Sequence, residues 1–246
     1  MKIITTAVIK GGTGKTTTAA ALAQAAAAAG RRVLCIDLDP QANLSFFIGA
    51  DQNRPGAYQL LHGLPAAALI QATEQHIDAI AASPDLATEK TTPGSAKRLQ
   101  EALKPLKRKY DLVIIDTPPQ MGEPLYNALQ ASDGLLIPLE TDNSSIQGLY
   151  QIADIAHQMQ RSNPALKILG TVLTRYDSRP KLNRHIAGVI AEAGQQLGAP
   201  FLIGIRPGVA IREAQALQLS LYEYAPRSNP AKDYKTLYEL IQEGRI

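Results

Sequence analysis

The sequence predicts an α/β fold: a doubly wound, mostly parallel sheet with helices on both faces. Three observations predict it. Short apolar runs alternate with helical patterns along the whole chain. A glycine-rich segment, Lys10-Gly11-Gly12-Thr13-Gly14-Lys15-Thr16-Thr17, joins the first run to the first helix. Two further runs end on aspartate, at Asp37 and Asp116. Open α/β sheets bind ligands beyond such carboxyl ends of strands.

Residues 2–9 are the first apolar strand. Residues 15–29 are a helix of small side chains, suited to lie close on a sheet, and Gly30 stops it. Residues 32–37 are the second strand and contain Val33-Leu34-Cys35-Ile36, which buries the cysteine. Residues 51–75 read as short helices and loops, and 77–82 as a short strand. Residues 95–109 form a basic helix carrying Arg98, Lys104, Lys107, Arg108 and Lys109. Residues 111–116 are a buried strand, and 124–131 a helix with proline at its start. Strands at 134–139, 167–174 and 201–205 then alternate with helices at 144–161, 182–197 and 231–243. No repeat, low-complexity stretch or linker interrupts this alternation, so residues 1–246 are expected to form a single domain.

Composition narrows the function classes. A chain of 246 residues, 45% hydrophobic and 19% charged, can close one full α/β core. Net charge of +3 permits an anionic partner without requiring one. The single cysteine, Cys35, excludes an intrachain disulfide and a cysteine-ligated cluster built by one chain. No apolar run approaches the ~18–20 residues that span a bilayer. The chain begins directly on a strand, so no signal peptide is expected and the expected location is the cytoplasm.

The glycine-rich turn has the chemistry of a phosphate cradle. Its backbone N–H groups point at the anion, and the following helix adds its positive N-terminal end. Lys15 can reach β- and γ-phosphates, and the Thr16 hydroxyl can ligate Mg²⁺. The usual phosphate-loop pattern has glycine where Ile9 stands. Lys10 opens the loop instead, a second cation that would neutralise phosphate in its own site or across an interface. Asp116, after Leu112-Val113-Ile114-Ile115, suits a Mg²⁺-water ligand; its alternative reading is a turn or cap aspartate. Asp37 and Asp39 flank Leu38, and alternate residues of an extended segment face one side. Both can face the γ-phosphate, or one can cap the next turn.

Together these residues resemble the ParA/MinD family of deviant phosphate-loop ATPases. The resemblance rests on residues 10–17, on Asp37-Leu38-Asp39-Pro40-Gln41-Ala42-Asn43, and on Asp116-Thr117-Pro118-Pro119. It continues through Leu173-Thr174-Arg175-Tyr176-Asp177-Ser178-Arg179, Arg212-Glu213-Ala214 and Ala225-Pro226-Arg227-Ser228 to Tyr234. The ParA branch fits best, in the short form without an N-terminal DNA-reading domain. The resemblance implies ATP/ADP and Mg²⁺ as cofactors, an ATP-bound sandwich homodimer, and non-specific DNA binding on the nucleoid. It also implies release on hydrolysis stimulated by a ParB-type partner. Lys10 would reach the partner's nucleotide, while Lys15 binds phosphate in its own subunit. Thr16 would hold Mg²⁺, Asp116 would bind it through water, and Asp39 would orient the attacking water beside it. Gly11, Gly12, Thr13 and Gly14 would cradle phosphate, and Thr17 would touch the α-phosphate. Thr174 and the Arg206-Pro207-Gly208 turn would line the adenine pocket. DNA would meet Arg227 and Lys232, with Lys181 and Arg184 on another helix. The chain differs from the family at Val8 and Ile9, at Arg206-Pro207, at Gln120, and at Glu140, where glutamine is common.

Chemistry separates the relatives. One cysteine excludes nitrogenase-reductase-like and iron–sulfur-carrier members. The tail from Tyr234 to Ile246 carries Glu239 and Glu243 opposite Leu237, Leu240 and Ile241, unlike a basic membrane-binding helix. No tyrosine cluster ends the chain, as a tyrosine-kinase relative would require. Three alternatives stay open: an ATPase positioning a protein complex or organelle, a MinD-like membrane-associated ATPase, and a metabolic ATP-dependent ligase.

Overall fold

The central apolar runs become strands that are buried on both faces, as a parallel sheet sandwiched by helices demands. A computed structural model describes residues 1–90, 92 and 94–244. Its strands are β1 (Lys2–Thr6), β2 (Val33–Asp37), β3 (Gln71–Ala72), β4 (Asp78–Ile80), β5 (Leu112–Asp116), β6 (Gly134–Leu139), β7 (Lys167–Leu173) and β8 (Phe201–Gly204). They form one sheet in the order β3-β4-β2-β5-β1-β6-β7-β8. Only the β3–β4 pair is antiparallel. β1, β2 and β5 therefore lie side by side, and their carboxyl ends converge.

Helix α1 (Lys15–Ala28) explains the run of alanines. Leu22 and its alanine neighbours at 19, 20, 21, 23, 25 and 26 are all buried, so the helix has no solvent face along its middle. Small side chains let it lie between the sheet and three further helices: α2 (Asn43–Phe47), α10 (Leu221–Tyr224) and α11 (Asn229–Gln242). Helix α9 (Val209–Ala216) completes this layer. Tyr234, Leu237, Tyr238 and Ile241 of α11 are buried there, so the tail helix packs on its own core. The other layer holds α3 (Ala57–Leu61), α4 (Ala66–Leu69), α5 (Arg98–Leu103) and α6 (Glu123–Ala131) over Leu34, Ile36, Val113 and Ile115. It continues with α7 (Asn143–Met159) and α8 (Lys181–Gln196) over Leu135, Ile137, Leu139 and Leu173.

Several expectations needed correction. β1 stops at Thr6, not at residue 9, because the chain must leave the sheet to enter the glycine turn; Ala7 N still bonds Leu136 O at 3.1 Å. The expected helix at 95–109 is broken into a 3₁₀ turn, α5 and a second 3₁₀ turn, with Pro105, which lacks an N–H, in the latter. α2, α9, α10 and the antiparallel β3 were not expected. Three of them have five residues or fewer, too short to show a period. Arg245 and Ile246 lie outside the described residues. Among those described, no helix is long and apolar enough to cross a membrane.

Candidate nucleotide site at the carboxyl ends of the strands

The turn between β1 and α1 takes a shape that its glycines allow. Gly12 and Gly14 have φ of 78° and 86°, the left-handed region that L side chains avoid. A Cβ on Gly14 would stand 3.1 Å from Cγ2 of Thr174. Thr174, at the end of β7, is buried and donates its hydroxyl to Thr13 O at 2.7 Å and to Leu139 O at 3.2 Å. Lys15 is 5% exposed, and its ammonium donates to Lys10 O at 2.8 Å, within the loop itself. Burial lowers its pKa, while Asp116 and Asp39 work in the opposite direction. Its charge is thus stored where an anion in the turn can take over as partner.

The sheet register assembles the acidic side. Asp116 is the lateral partner of Thr6 on β1 and of Asp37 on β2, so the three side chains share one face. Thr6 donates its hydroxyl to Asp116 Oδ1 at 3.2 Å. Asp116 Oδ2 is buried and has no hydrogen-bond partner. Burial first, then repulsion from Asp37, pushes the Asp116 pKa up to about 8 against hydrogen bonding from Thr16 and the charge of Lys15. The Asp116 carboxylate, with one oxygen unpartnered and the Thr16 hydroxyl near the group, fits a hydrated Mg²⁺. Among the described residues no three acidic, histidine or cysteine side chains close on a metal by themselves. A Mg²⁺ ion held by one carboxylate, one hydroxyl and nucleotide phosphates needs no such cage.

Asp37 and Asp39 differ in their hydrogen-bond partners. Asp37 is the cap: it accepts from Ser45 N at 2.8 Å, Ser45 Oγ at 2.7 Å and Asp39 N at 3.1 Å. Burial raises its pKa to about 6 despite these bonds. Asp39 is 7% exposed, accepts from Gln41 N at 3.0 Å, and lies close enough to act on the charges of Lys15 and Asp116. Ala42, at φ 53°, turns the chain after it into α2.

Lys10 leaves the loop for α7. Its ammonium donates to Asp142 Oδ2 at 2.5 Å and to Ser145 Oγ at 3.2 Å. Burial opposes the Asp142 charge, yet hydrogen bonds from Lys10, Ser145 and Ser144 hold its pKa down at about 2. Lys10 and Lys15 therefore have separate environments, one beside α7 and one inside the turn.

Beyond Thr174 opens a cavity of about 570 Å³, lined by Gly14, Thr17, Thr174, Pro207, Gly208 and Tyr234 among others. The expected adenine-pocket residues are brought together there. Arg206 also lines it, but its guanidinium is tied to Asp233 at 2.6 and 2.9 Å, which leaves the turn's backbone as the available surface. Thr17 Oγ1 accepts from Gln215 Nε2 at 3.3 Å, so it faces this cavity's α9 wall. A larger hollow of about 720 Å³, between α3 and α5, contains no residue of the turn; chemistry rather than size identifies the site.

Arg227, Lys232, Lys181 and Arg184 are all exposed. A groove beside edge strand β8 is lined by the 176–179 turn that leads into α8 and by Asn229, which opens α11, but by none of these four cations. Arg184 is less free than expected, since its guanidinium donates to Ser178 O and Arg179 O at 2.7 Å each. Sequence reasoning missed Thr6, Ser45, Asp142, Ser145 and Gln215 as site-shaping residues. Their only signal is register or long-range packing.

A family model described as an AAA domain matches residues 1–168. The chromosome-partitioning ATPase Soj of Thermus thermophilus is 35% identical over 243 residues, covering 97% of this chain and 94% of that protein. The structure of cobyrinic acid a,c-diamide synthase from Mycobacterium smegmatis, with bound ATP analog and magnesium, superposes with a TM-score of 0.85 at 28% identity. It covers 100% of this chain and 96% of that one. The ATP complex of a Cyanothece McdA variant gives a TM-score of 0.85 at 25% identity, over 100% of this chain and 96% of that one. Sequence, fold and phosphate turn agree: the chain belongs to the ParA/MinD-type P-loop ATPases.

Proposed function

We propose that this ATPase is a partition protein whose ATP-bound sandwich dimer binds DNA non-specifically. It is released when a ParB-type partner on the cargo stimulates hydrolysis. The cytoplasm, on the nucleoid, is its place of work. The observation that carries the reading is Lys10. It opens the loop, yet its ammonium is directed to α7 instead of into its own phosphate cradle. A cation so placed serves a nucleotide other than the one its own turn holds. Asp39 would orient the attacking water, Lys15 and Thr16 would hold the phosphates and a bound Mg²⁺, and Asp116 would help to hold that ion. Basal turnover is slow, because a site completed by a partner leaves the free subunit's transition state under-stabilised. Arg227, Lys232, Lys181 and Arg184 supply phosphate contacts to DNA, which need cations on one surface rather than a base-reading element.

Light scattering with ATP tests the two lysines. Lys15→Gln should lose nucleotide altogether, whereas Lys10→Ala should bind nucleotide and stay monomeric. Identical behaviour of the two variants would remove the role of Lys10 across the interface. The likeness to a protein named as a diamide synthase favours one second reading, an amide-forming ligase. ATP turnover that depends on a small acid and an amine donor, and ignores DNA, would select it.

A further inference from the structure

We propose that Arg175, oriented by Glu140, is a positioning residue that fixes the outward side of the phosphate turn. The proposal rests on the nucleotide-site reading above and adds a residue to it. Arg175 stands two residues past the end of β7 and has φ 50°, a left-handed conformation that a residue with a side chain adopts reluctantly. Neighbouring hydrogen bonds hold it there: Thr174 N to Leu139 O and Tyr176 N to Ile205 O, each at 2.8 Å. The side chain reaches the loop, and Nη2 donates to Gly12 O at 2.6 Å. The same nitrogen pairs with Glu140 Oε1.

The consequence follows from peptide geometry. Arg175 ties the Gly12 carbonyl, and Thr174 ties the next one, Thr13 O, at 2.7 Å. In a planar trans peptide the C=O and the following N–H point in opposite directions. Two carbonyls held on the outside therefore aim the N–H groups of Thr13 and Gly14 into the cradle. Packing cannot do this at the tip of the turn, because a Cβ placed on Gly11 or Gly12 would meet nothing within 4 Å. Arg175 and Glu140 are 62% and 26% exposed, so the pair acts by fixing geometry more than by its own Coulomb energy. Glutamine at 140 would keep an acceptor but lose the charge, so Glu140 and Arg175 work as a matched pair in this chain.

Arg175 also lines the neighbouring cavity, which offers a rival role in contacting the base. Titration with Mg²⁺-ATP and with Mg²⁺-tripolyphosphate, which has no base, separates the two. Arg175→Ala should weaken both ligands by about three- to tenfold, the net worth of one ordinary hydrogen bond. Glu140→Ala should match it, and the double variant should lose no more than either single one. Arg175→Gly relieves the backbone strain, so its melting point should exceed that of Arg175→Ala while its nucleotide affinity stays as low. Glu140→Gln, the mildest change, should give an intermediate loss. Weakened ATP with unchanged tripolyphosphate would overturn the proposal in favour of base contact. Unchanged affinity for both, with wild type binding normally, would overturn it outright. Wild type that binds neither ligand would instead bring down the nucleotide-site reading on which the proposal stands.

Discussion

Alanine substituted in turn at Gly11, Gly12 and Gly14 should give a graded series. Gly11 is outside the left-handed region, and an added Cβ has open space, so Gly11→Ala should stay within about 0.5 kcal/mol of wild type. Gly12 sits at φ 78° with open space, so Gly12→Ala bears backbone strain alone, about 1–2 kcal/mol. Gly14 sits at φ 86° and adds contacts of 3.1, 3.3 and 3.4 Å with Thr174. Thr174 cannot easily yield, because its hydroxyl is committed to Thr13 O and Leu139 O. Overpacking of this kind adds about 1 kcal/mol or more, which brings Gly14→Ala to roughly 2–4 kcal/mol. In a chain of this size each kcal/mol moves the melting temperature by about 2–4 °C. Thermal unfolding of the nucleotide-free proteins, followed by circular dichroism, reads the series directly. Gly14→Ala should melt lowest and Gly11→Ala with wild type. A Gly14→Ala protein as stable as wild type, or a Gly11→Ala protein less stable than Gly14→Ala, would refute the reasoning.

Other outcomes follow from the site. Asp116 and Asp37 have folded pKa values near 8 and 6 against an ordinary 3.8, so between about pH 4 and 8 the folded state keeps protons the unfolded chain has released. Nucleotide-free stability should therefore fall as pH rises through that window, and Asp116→Asn should flatten the fall; a rise would contradict the assignment. Asp39→Ala should bind ATP and dimerise but turn over slowly, accumulating DNA-bound dimer, and rapid phosphate release by this variant would remove its water-positioning role. Arg227→Ala and Lys232→Ala should each weaken binding to DNA of any sequence and reduce the salt slope by about 1. A variant whose slope matches wild type would have lost no phosphate contact.

Much of the site was legible because it is local. Residues 10–17 need only their own glycines and the following helix, and Asp116 needs only the strand it ends. What could not be read depends on groups far apart in the chain. The partner of Lys10 is 132 residues away, and Thr174 meets the turn across 161. What sets Asp37 apart from Asp39 is Ser45, whose hydroxyl and amide fold back onto Asp37 through a five-residue helix too short to announce itself. The fold was legible wherever a strand was long and buried. It was not at β3, a two-residue antiparallel edge, nor at α9 and α10, which bridge β8 and α11.

The most direct test of the partition reading is binding to a non-specific DNA duplex with ATP, with ADP and without nucleotide, across a salt series. Binding with ATP alone, falling steeply as salt rises, is the predicted result, since released counterions set the slope. Equal binding in all three states, or none in any, would contradict a nucleotide-gated DNA switch.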